Sequence, residues 1–343
     1  MTPKEEERRK NLQAKKPLVY DKIIRRGDNP DPILQVQYSY KCNMHCKHCS
    51  IKDIRSQQTG RGTLTPASIR ILANQAHELG FTRFEINGGE PLLYKDIDNI
   101  VDAIGPARFY INLVTNAYLL DEAVATHLKD IGIDRIQVGL DSLNAEEHDD
   151  FRNKPGAHQR ALAGIDYCLK VGMDIFITTV VSKQRLYSEE FNKFINYFNN
   201  KGIGVFMTFA KPVGAWTGQY DLMIDEKDLE YTRKLEKQHN VFSHLTGAYG
   251  REGGCIGAGH GLLAVSSEGH VMPCQYIFVS MGNFLEEPLK DIVDRALRLK
   301  VFKSRICPIA MDKEFVEKYI VAGTQGKHLP VSWKEVFTEK DFD

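Results

Sequence analysis

Apolar and polar residues between positions 33 and 210 alternate with two different periods, which predicts strands separated by helices. Residues 33–40 repeat every two positions, as a strand does, whereas residues 65–80 repeat with the period of a helix behind the capping residue Thr65. The predicted strands are 33–40, 81–87, 109–115, 135–140, 175–181 and 205–210. The predicted helices are 65–80, 96–104, 121–130, 158–171 and 188–200. This order predicts an α/β fold with a parallel sheet, either open or curved into a full or partial barrel.

The pattern changes after residue 211 and becomes rich in glycine and turns. We expect a small α+β domain there, with hairpin strands near 261–266 and 270–273 and helices at 287–303 and 312–321. The predicted organisation is a charged arm, a barrel domain and a C-terminal domain, spanning residues 1–32, 33–239 and 240–343.

Composition narrows the function classes. The 343 residues include 45 basic and 45 acidic side chains, so there is no electrostatic case for a nucleic-acid partner. The sequence shows neither an export signal nor an apolar run of transmembrane length, which predicts a cytoplasmic protein. In a reducing compartment, clustered members of the seven cysteines indicate metal binding or catalysis more than disulfides.

Polar motifs follow each of the first four predicted strands. Cysteines follow strand one, a Gly-Gly-Glu-Pro turn at 88–91 follows strand two, Asn116 follows strand three, and Asp141 and Ser142 follow strand four. Ligands of parallel α/β folds bind at the C-terminal strand ends, so these features converge on one rim.

The cysteines after strand one are Cys42, Cys46 and Cys49. A structural zinc would need a fourth ligand such as His45 or His48, and side chains so close in sequence rarely reach one ion together. Thiolates are the normal ligands of iron–sulfur clusters, and three of them leave one iron of a 4Fe–4S cluster open to an external molecule.

The Cys-x3-Cys-x2-Cys motif resembles the signature of radical S-adenosylmethionine (radical SAM) enzymes, and the resemblance covers about 33–210. Gly88, Gly89, Glu90 and Pro91 look like the turn that meets the amino group of the methionine moiety. Asn116, Asp141 and Ser142 lie where family members contact its carboxylate or ribose. The resemblance implies a partial (β/α)6 TIM-like barrel. It also implies a 4Fe–4S cluster that cleaves S-adenosylmethionine to a 5′-deoxyadenosyl radical, and a reductant such as flavodoxin or ferredoxin.

A second set of cysteines lies in the C-terminal region. The pattern Cys255-x13-Gly269-x4-Cys274, followed by Cys307, resembles the auxiliary-cluster extensions called SPASM and Twitch domains and implies a second 4Fe–4S cluster. The later run of four cysteines in a full SPASM domain is missing, and Cys168 is predicted to be a core residue. The second cluster would therefore have an open iron or a fourth ligand such as His260, His270 or Asp312.

The resemblance favours oxidative modification of a peptide or protein side chain. Alternatives are a small-molecule substrate (a sugar, nucleotide or lipid precursor) bound near an open iron, redox-neutral chemistry without a second cluster, and a non-catalytic iron–sulfur or zinc scaffold or electron carrier. The candidate substrate-side residues are Tyr38, Tyr40, Glu85, Arg152, Lys211, Trp216, Tyr220 and Arg251.

Overall fold

The alternating strands and helices build one large sheet. A computed structural model describes residues 32–58, 62–245, 255–304 and 306–343, so the predicted arm, apart from residue 32, and Arg251 lie outside the described residues. The first seven strands are β1 (Ile33–Ser39), β2 (Arg83–Gly88), β3 (Tyr110–Thr115), β4 (Arg135–Gly139), β5 (Asp174–Val181), β6 (Gly204–Phe209) and β7 (Val241–Phe242). They pair side by side in chain order, and every pairing is parallel.

Helices connect these strands. They are α1 (Lys52–Gln57), α2 (Pro66–Glu78), α3 (Ile97–Ile104), α4 (Glu122–Ile131), α5 (Ala145–Arg152), α6 (Ala157–Lys170), α7 (Lys183–Leu186), α8 (Glu189–Asn199) and α9 (Glu226–Gln238). The α2 helix begins as predicted, because Thr65 and Ser68 form a reciprocal cap. The short polar helices α1 and α5 were not predicted from the pattern, since neither carries a long apolar stripe.

The C-terminal region continues the same sheet. Strand β8 (Leu262–Val265) lies parallel to β1, and β9 (His270–Met272) and β11 (Gly282–Asn283) follow it in antiparallel pairings. The remaining elements include the strand pair β10 (Val279–Ser280) and β12 (Val331–Ser332) and the helices α10 (Leu289–Leu297), α11 (Pro308–Met311), α12 (Lys313–Phe315) and α13 (Trp333–Val336). A π-helical turn, Val316–Ala322, ends the predicted 312–321 helix.

The ten-stranded sheet is open, with β11 at one edge and β7 at the other. The predicted α/β class is confirmed, and the arc of parallel strands agrees with a partial barrel. One apolar core runs from the barrel helices into the C-terminal region, and it includes Cys168, which is fully buried as predicted. Among the described residues, no helix has both the length and the apolar character needed to cross a membrane.

Candidate active site

The loop after β1 is held in shape by a side chain that the sequence did not single out. Arg55, on α1, donates to the carbonyls of Cys42 and Met44 at 2.8 and 2.6 Å. Met44 is buried beneath the loop. The backbone of Lys47 donates to the carbonyl of Phe151, which ties the loop to α5. These contacts fix the main chain between Cys42 and Cys49, so the three thiols face one cavity.

The Gly-Gly-Glu-Pro turn packs directly against the start of the cysteine loop. The amides of Gly89 and Glu90 donate to the carbonyls of Ser39 and Lys41, each at 2.9 Å. A Cβ atom at Gly89 would lie 2.1 Å from the carbonyl oxygen of Lys41. Glycine is therefore required here by the neighbouring backbone, before any ligand is considered.

Glu90 is buried inside the protein and links two strand ends. Its carboxylate accepts hydrogen bonds from the Thr115 hydroxyl at 2.6 Å, the Asn116 amide at 2.9 Å and the Leu92 amide at 3.1 Å. The Asn116 side chain in turn donates to Asn43 at 2.8 Å and contacts the Cys42 sulfur at 3.9 Å. Glu90 therefore positions Asn116 beside the cysteine loop.

A buried ion pair stands behind Cys46. Arg152, at the end of α5, contacts Asp141 at 2.7 Å and hydrogen-bonds the Cys46 sulfur. Although burial opposes ionisation, the Arg152 charge holds the pKa of Asp141 well below its usual range. The carboxylate also accepts from the Val180 amide at 2.9 Å. Asp141 thus orients the guanidinium that faces the cysteine.

His48 lies in an aromatic stack beside the loop. Its ring stacks on Phe151 with centroids 4.3 Å apart, and Trp216 lies 5.9 Å away. Burial lowers the pKa of His48 to about 3, so the ring is neutral at ordinary pH. By contrast, His45 is exposed.

The second group of cysteines is assembled from three separate segments. Cys255 precedes β8, Cys274 follows β9, and Cys307 precedes α11. The three thiols line the same cavity as Cys42, Cys46 and Cys49. The cavity has a volume of about 280 Å³ and lies at the C-terminal ends of the barrel strands.

Lys211 lies among these three thiols, and its side chain is buried. Its ammonium donates to the Phe209 carbonyl at 2.7 Å and stands 4.2 Å from the centre of the Tyr276 ring. A hydrogen bond with Cys255 lowers the pKa of Cys307 well below its usual value, and His244 and Lys211 act in the same direction. The same hydrogen bond raises the pKa of Cys255, and burial raises that of Cys274, so Cys307 is the thiol of the three that most readily forms the metal-binding thiolate.

The non-cysteine ligands that the sequence suggested for the second cluster, His260, His270 and Asp312, are not among the described residues that line the cavity. His270 is hydrogen-bonded to the Ser280 hydroxyl at 3.0 Å, and Asp312 accepts from the Phe315 amide as a helix cap. His260 is buried, but it is not among the described residues that line the cavity. His244, which the sequence analysis did not consider, lines the cavity and lowers the pKa of Cys307.

The barrel interior between the two cysteine groups is polar. Glu85 on β2 accepts hydrogen bonds from the side-chain amides of Gln35 at 2.6 Å, Asn87 at 3.1 Å and Asn112 at 3.0 Å. Because these amides turn their NH₂ groups toward Glu85, their oxygens turn away from it. Within the described residues, no donor reaches the oxygens Gln35 Oε1, Asn87 Oδ1 and Asn112 Oδ1. We call these three amides and Glu85 the amide belt.

The amide belt was visible in the sequence as polar residues at alternate positions of strands that should be buried on both faces. Strands of parallel barrels usually read as continuous apolar runs. Glutamine and asparagine at inward positions of β1 to β3 break that rule, and they mark a cavity instead of a packed core.

The cavity gathers most of the predicted site residues. Those that line it are Cys42, Cys46, Cys49, Gly88, Gly89, Glu90, Asn116, Cys255, Cys274 and Cys307. Pro91, Asp141 and Ser142 are not among the described lining residues, and Ser142 instead donates to Glu147 at 2.7 Å. Of the substrate-side candidates, Glu85, Arg152, Lys211 and Trp216 line the cavity, whereas Tyr38, Tyr40 and Tyr220 do not.

Both cysteine groups fit iron–sulfur clusters. Each offers three cavity-facing thiols and a buried cation, Arg152 or Lys211, that offsets the negative charge of a thiolate-bound cluster. Among the described residues, no three Cys, His, Asp or Glu side chains are grouped closely enough to hold a single metal ion.

Comparison with known proteins agrees with this geometry. Residues 36–196 match the family model of the radical SAM superfamily, and residues 255–315 match that of SPASM, an iron–sulfur cluster-binding domain. The chain is 30% identical to the AdoMet-dependent heme synthase of Methanosarcina barkeri over 74% of this chain and 80% of that protein. The chain belongs to the radical SAM superfamily. It is an enzyme, and its cofactors are S-adenosylmethionine and 4Fe–4S clusters.

Two further similarities are more distant. The GTP 3′,8-cyclase of Nautilia profundicola is 26% identical over 80% of this chain and 88% of that protein. The crystal structure of Streptococcus suis SuiB bound to S-adenosylmethionine has a TM-score of 0.60 at 20% identity, covering 79% of this chain and 69% of that one. The SuiB similarity shows a shared fold.

Proposed function

We propose that this radical SAM enzyme oxidises a carbon in a peptide or protein side chain that carries hydrogen-bond donors. The observation that supports this proposal is the single cavity whose wall contains both cysteine groups. Bound S-adenosylmethionine and its cluster supply a radical that removes a hydrogen atom, and an auxiliary cluster supplies a one-electron acceptor. A substrate group in this cavity would face both the radical source and the electron acceptor.

The cavity wall indicates which chemical groups the substrate presents. Gln35, Asn87 and Glu85 line the cavity, and their amide and carboxylate oxygens are hydrogen-bond acceptors. A substrate with N–H or O–H groups would satisfy them. Side chains such as those of serine, threonine, asparagine and lysine have this chemistry.

Glu85 is suited to receive the proton that oxidation releases. Loss of a hydrogen atom and then of one electron leaves a cationic carbon centre, which must lose a proton to give a double bond or a new bond. Burial raises the pKa of Glu85, although hydrogen bonds from Gln35, Asn112 and Asn87 oppose the shift. A carboxylate with a raised pKa is a better proton acceptor near neutral pH.

The test uses enzyme that is reconstituted anaerobically and reduced with dithionite. Synthetic peptides that each carry one donor side chain are incubated with the enzyme and S-adenosylmethionine. We expect equal amounts of 5′-deoxyadenosine and of one peptide that has lost two hydrogen atoms. Formation of 5′-deoxyadenosine with every peptide unchanged would contradict the substrate class, and its absence would contradict the radical chemistry.

A tetrapyrrole substrate is the second candidate, and the 30% identity to a heme synthase favours it. The amide belt argues against it, because a carboxylate-rich porphyrin would face unpaired acceptors and Glu85. An iron porphyrin with propionate side chains is therefore a parallel probe in the same assay. Consumption of this porphyrin without peptide oxidation would replace the peptide proposal with the tetrapyrrole one.

A further inference from the structure

A 4Fe–4S cluster has four irons, and each iron needs a ligand besides the cluster sulfides. The C-terminal site provides Cys255, Cys274 and Cys307, which leaves one position for another donor. We infer that His244 is the fourth protein ligand of the auxiliary cluster. This inference rests on the auxiliary cluster and is independent of the substrate.

The position of His244 supports this assignment. It follows β7, which pairs with β6 through Val205 and Val241. Its side chain lines the cavity together with all three cysteines and lies near enough to Cys307 to lower the pKa of that thiol. The residue therefore lies beside the donor set that a cluster would use.

The backbone around His244 is held on both sides. The Ser243 amide donates to Glu236 at 2.9 Å, and the Leu245 amide donates to the Ser243 hydroxyl at 3.2 Å. Ser243 and Leu245 are both buried. Ligand residues that are fixed in this way lose little conformational freedom when they bind.

A histidine ligand would change the charge at the auxiliary cluster and therefore its reduction potential. An imidazole is neutral where a fourth thiolate would add a negative charge, and the buried Lys211 already stands beside the site. Less negative charge at a cluster raises its reduction potential, as histidine ligands do in Rieske centres. A higher potential makes the site a better electron acceptor, which is the role that oxidative chemistry needs.

The experiment detects the ligand atom directly, without turnover. In the full-length Cys42→Ala/Cys46→Ala/Cys49→Ala variant the auxiliary cluster is the remaining cluster. Protein labelled with ¹⁵N-histidine is reduced with dithionite and examined by pulsed EPR. We expect hyperfine coupling to a directly bound ¹⁵N nucleus, and the selective label separates a histidine nitrogen from the Lys211 amine.

Variants locate the coupled nitrogen. His244→Cys should retain the cluster iron, lose the ¹⁵N coupling and lower the reduction potential, because a thiolate adds negative charge. His260→Ala and His270→Ala are controls that should retain the coupling. Absence of histidine coupling in the parent protein, its persistence in His244→Cys, or its loss in either control would overturn the assignment. The same comparison in the holoenzyme makes the result independent of the triple variant.

Discussion

The two cysteine sites each bring three thiols together, one from consecutive residues and the other from separate segments of the chain. The first takes its three thiols from eight consecutive positions, and contacts from Arg55, Gly89 and Phe151 shape that loop. The second takes its thiols from three segments: Cys255 and Cys274 flank the paired strands β8 and β9, and Cys307 precedes α11. A contiguous motif can be read from sequence with its spacing, whereas an assembled site reveals only part of its ligand set.

Each site also carries a buried cation, but the partners differ. Arg152 is paired with the Asp141 carboxylate at 2.7 Å. Lys211 interacts with a carbonyl, an aromatic ring and the three thiols. At the first site, the arginine charge is therefore neutralised by a carboxylate of the protein itself. At the second site, the lysine charge interacts mainly with the cysteine ligands.

The largest expected effect comes from Gly89→Ala at the first site. The added Cβ would overlap the Lys41 carbonyl, so the turn and the cysteine loop cannot both keep their positions. We expect loss of the first cluster and of 5′-deoxyadenosine formation, measured as iron content and product yield. Gly323→Ala is the matched control, since its φ is -65° and the nearest atom to an added Cβ is a methyl carbon of the Val336 side chain at 3.2 Å. Equal behaviour of the two variants would contradict the steric argument.

The second prediction compares the two buried cations. Arg152→Met leaves the Asp141 carboxylate buried without its partner, which should cost about 3–5 kcal/mol of unfolding free energy. Lys211→Met keeps the apolar stem and removes a buried charge without stranding a carboxylate, so we expect a change within about 1 kcal/mol. Urea denaturation of the two variants without clusters, each compared with the wild-type protein without clusters, measures both values. Similar losses would show that the two cations have the same structural role.

Glu85→Gln should affect chemistry more than folding, because a glutamine can remain hydrogen-bonded within the amide belt. We expect oxidised product to fall by about 10²-fold relative to 5′-deoxyadenosine. Since burial raises the pKa of Glu85, the wild-type oxidation rate should decline as pH falls through that raised value, and the variant should lose this decline. A pH profile with the same acidic limb in both proteins would assign the proton to another group.

The sequence predicted features whose physical basis is local. Strand and helix periods gave the parallel sheet, and the spacing of Cys42, Cys46 and Cys49 together with the Gly-Gly-Glu-Pro turn placed the first site. Each depends on neighbours within a few positions or on the rule that C-terminal strand ends share a rim.

What the sequence did not predict depends on contacts between distant segments. Arg152 was named only as a possible substrate contact, yet it hydrogen-bonds Cys46 and pairs with Asp141. His244 was missed because only the pairing of β7 with β6 brings it to Cys307. The amide belt left a readable signal, but its interactions with Glu85 required the register of β1, β2 and β3.

The most direct test of two clusters facing one cavity is the iron content of the variant in which Cys42, Cys46 and Cys49 are all changed to alanine. After anaerobic reconstitution, we predict that about four irons per chain remain. The reciprocal variant at Cys255, Cys274 and Cys307 should also retain about four. A value near zero in the first variant, with the protein still folded, would show that the C-terminal cysteines hold no cluster and would contradict the proposed electron acceptor.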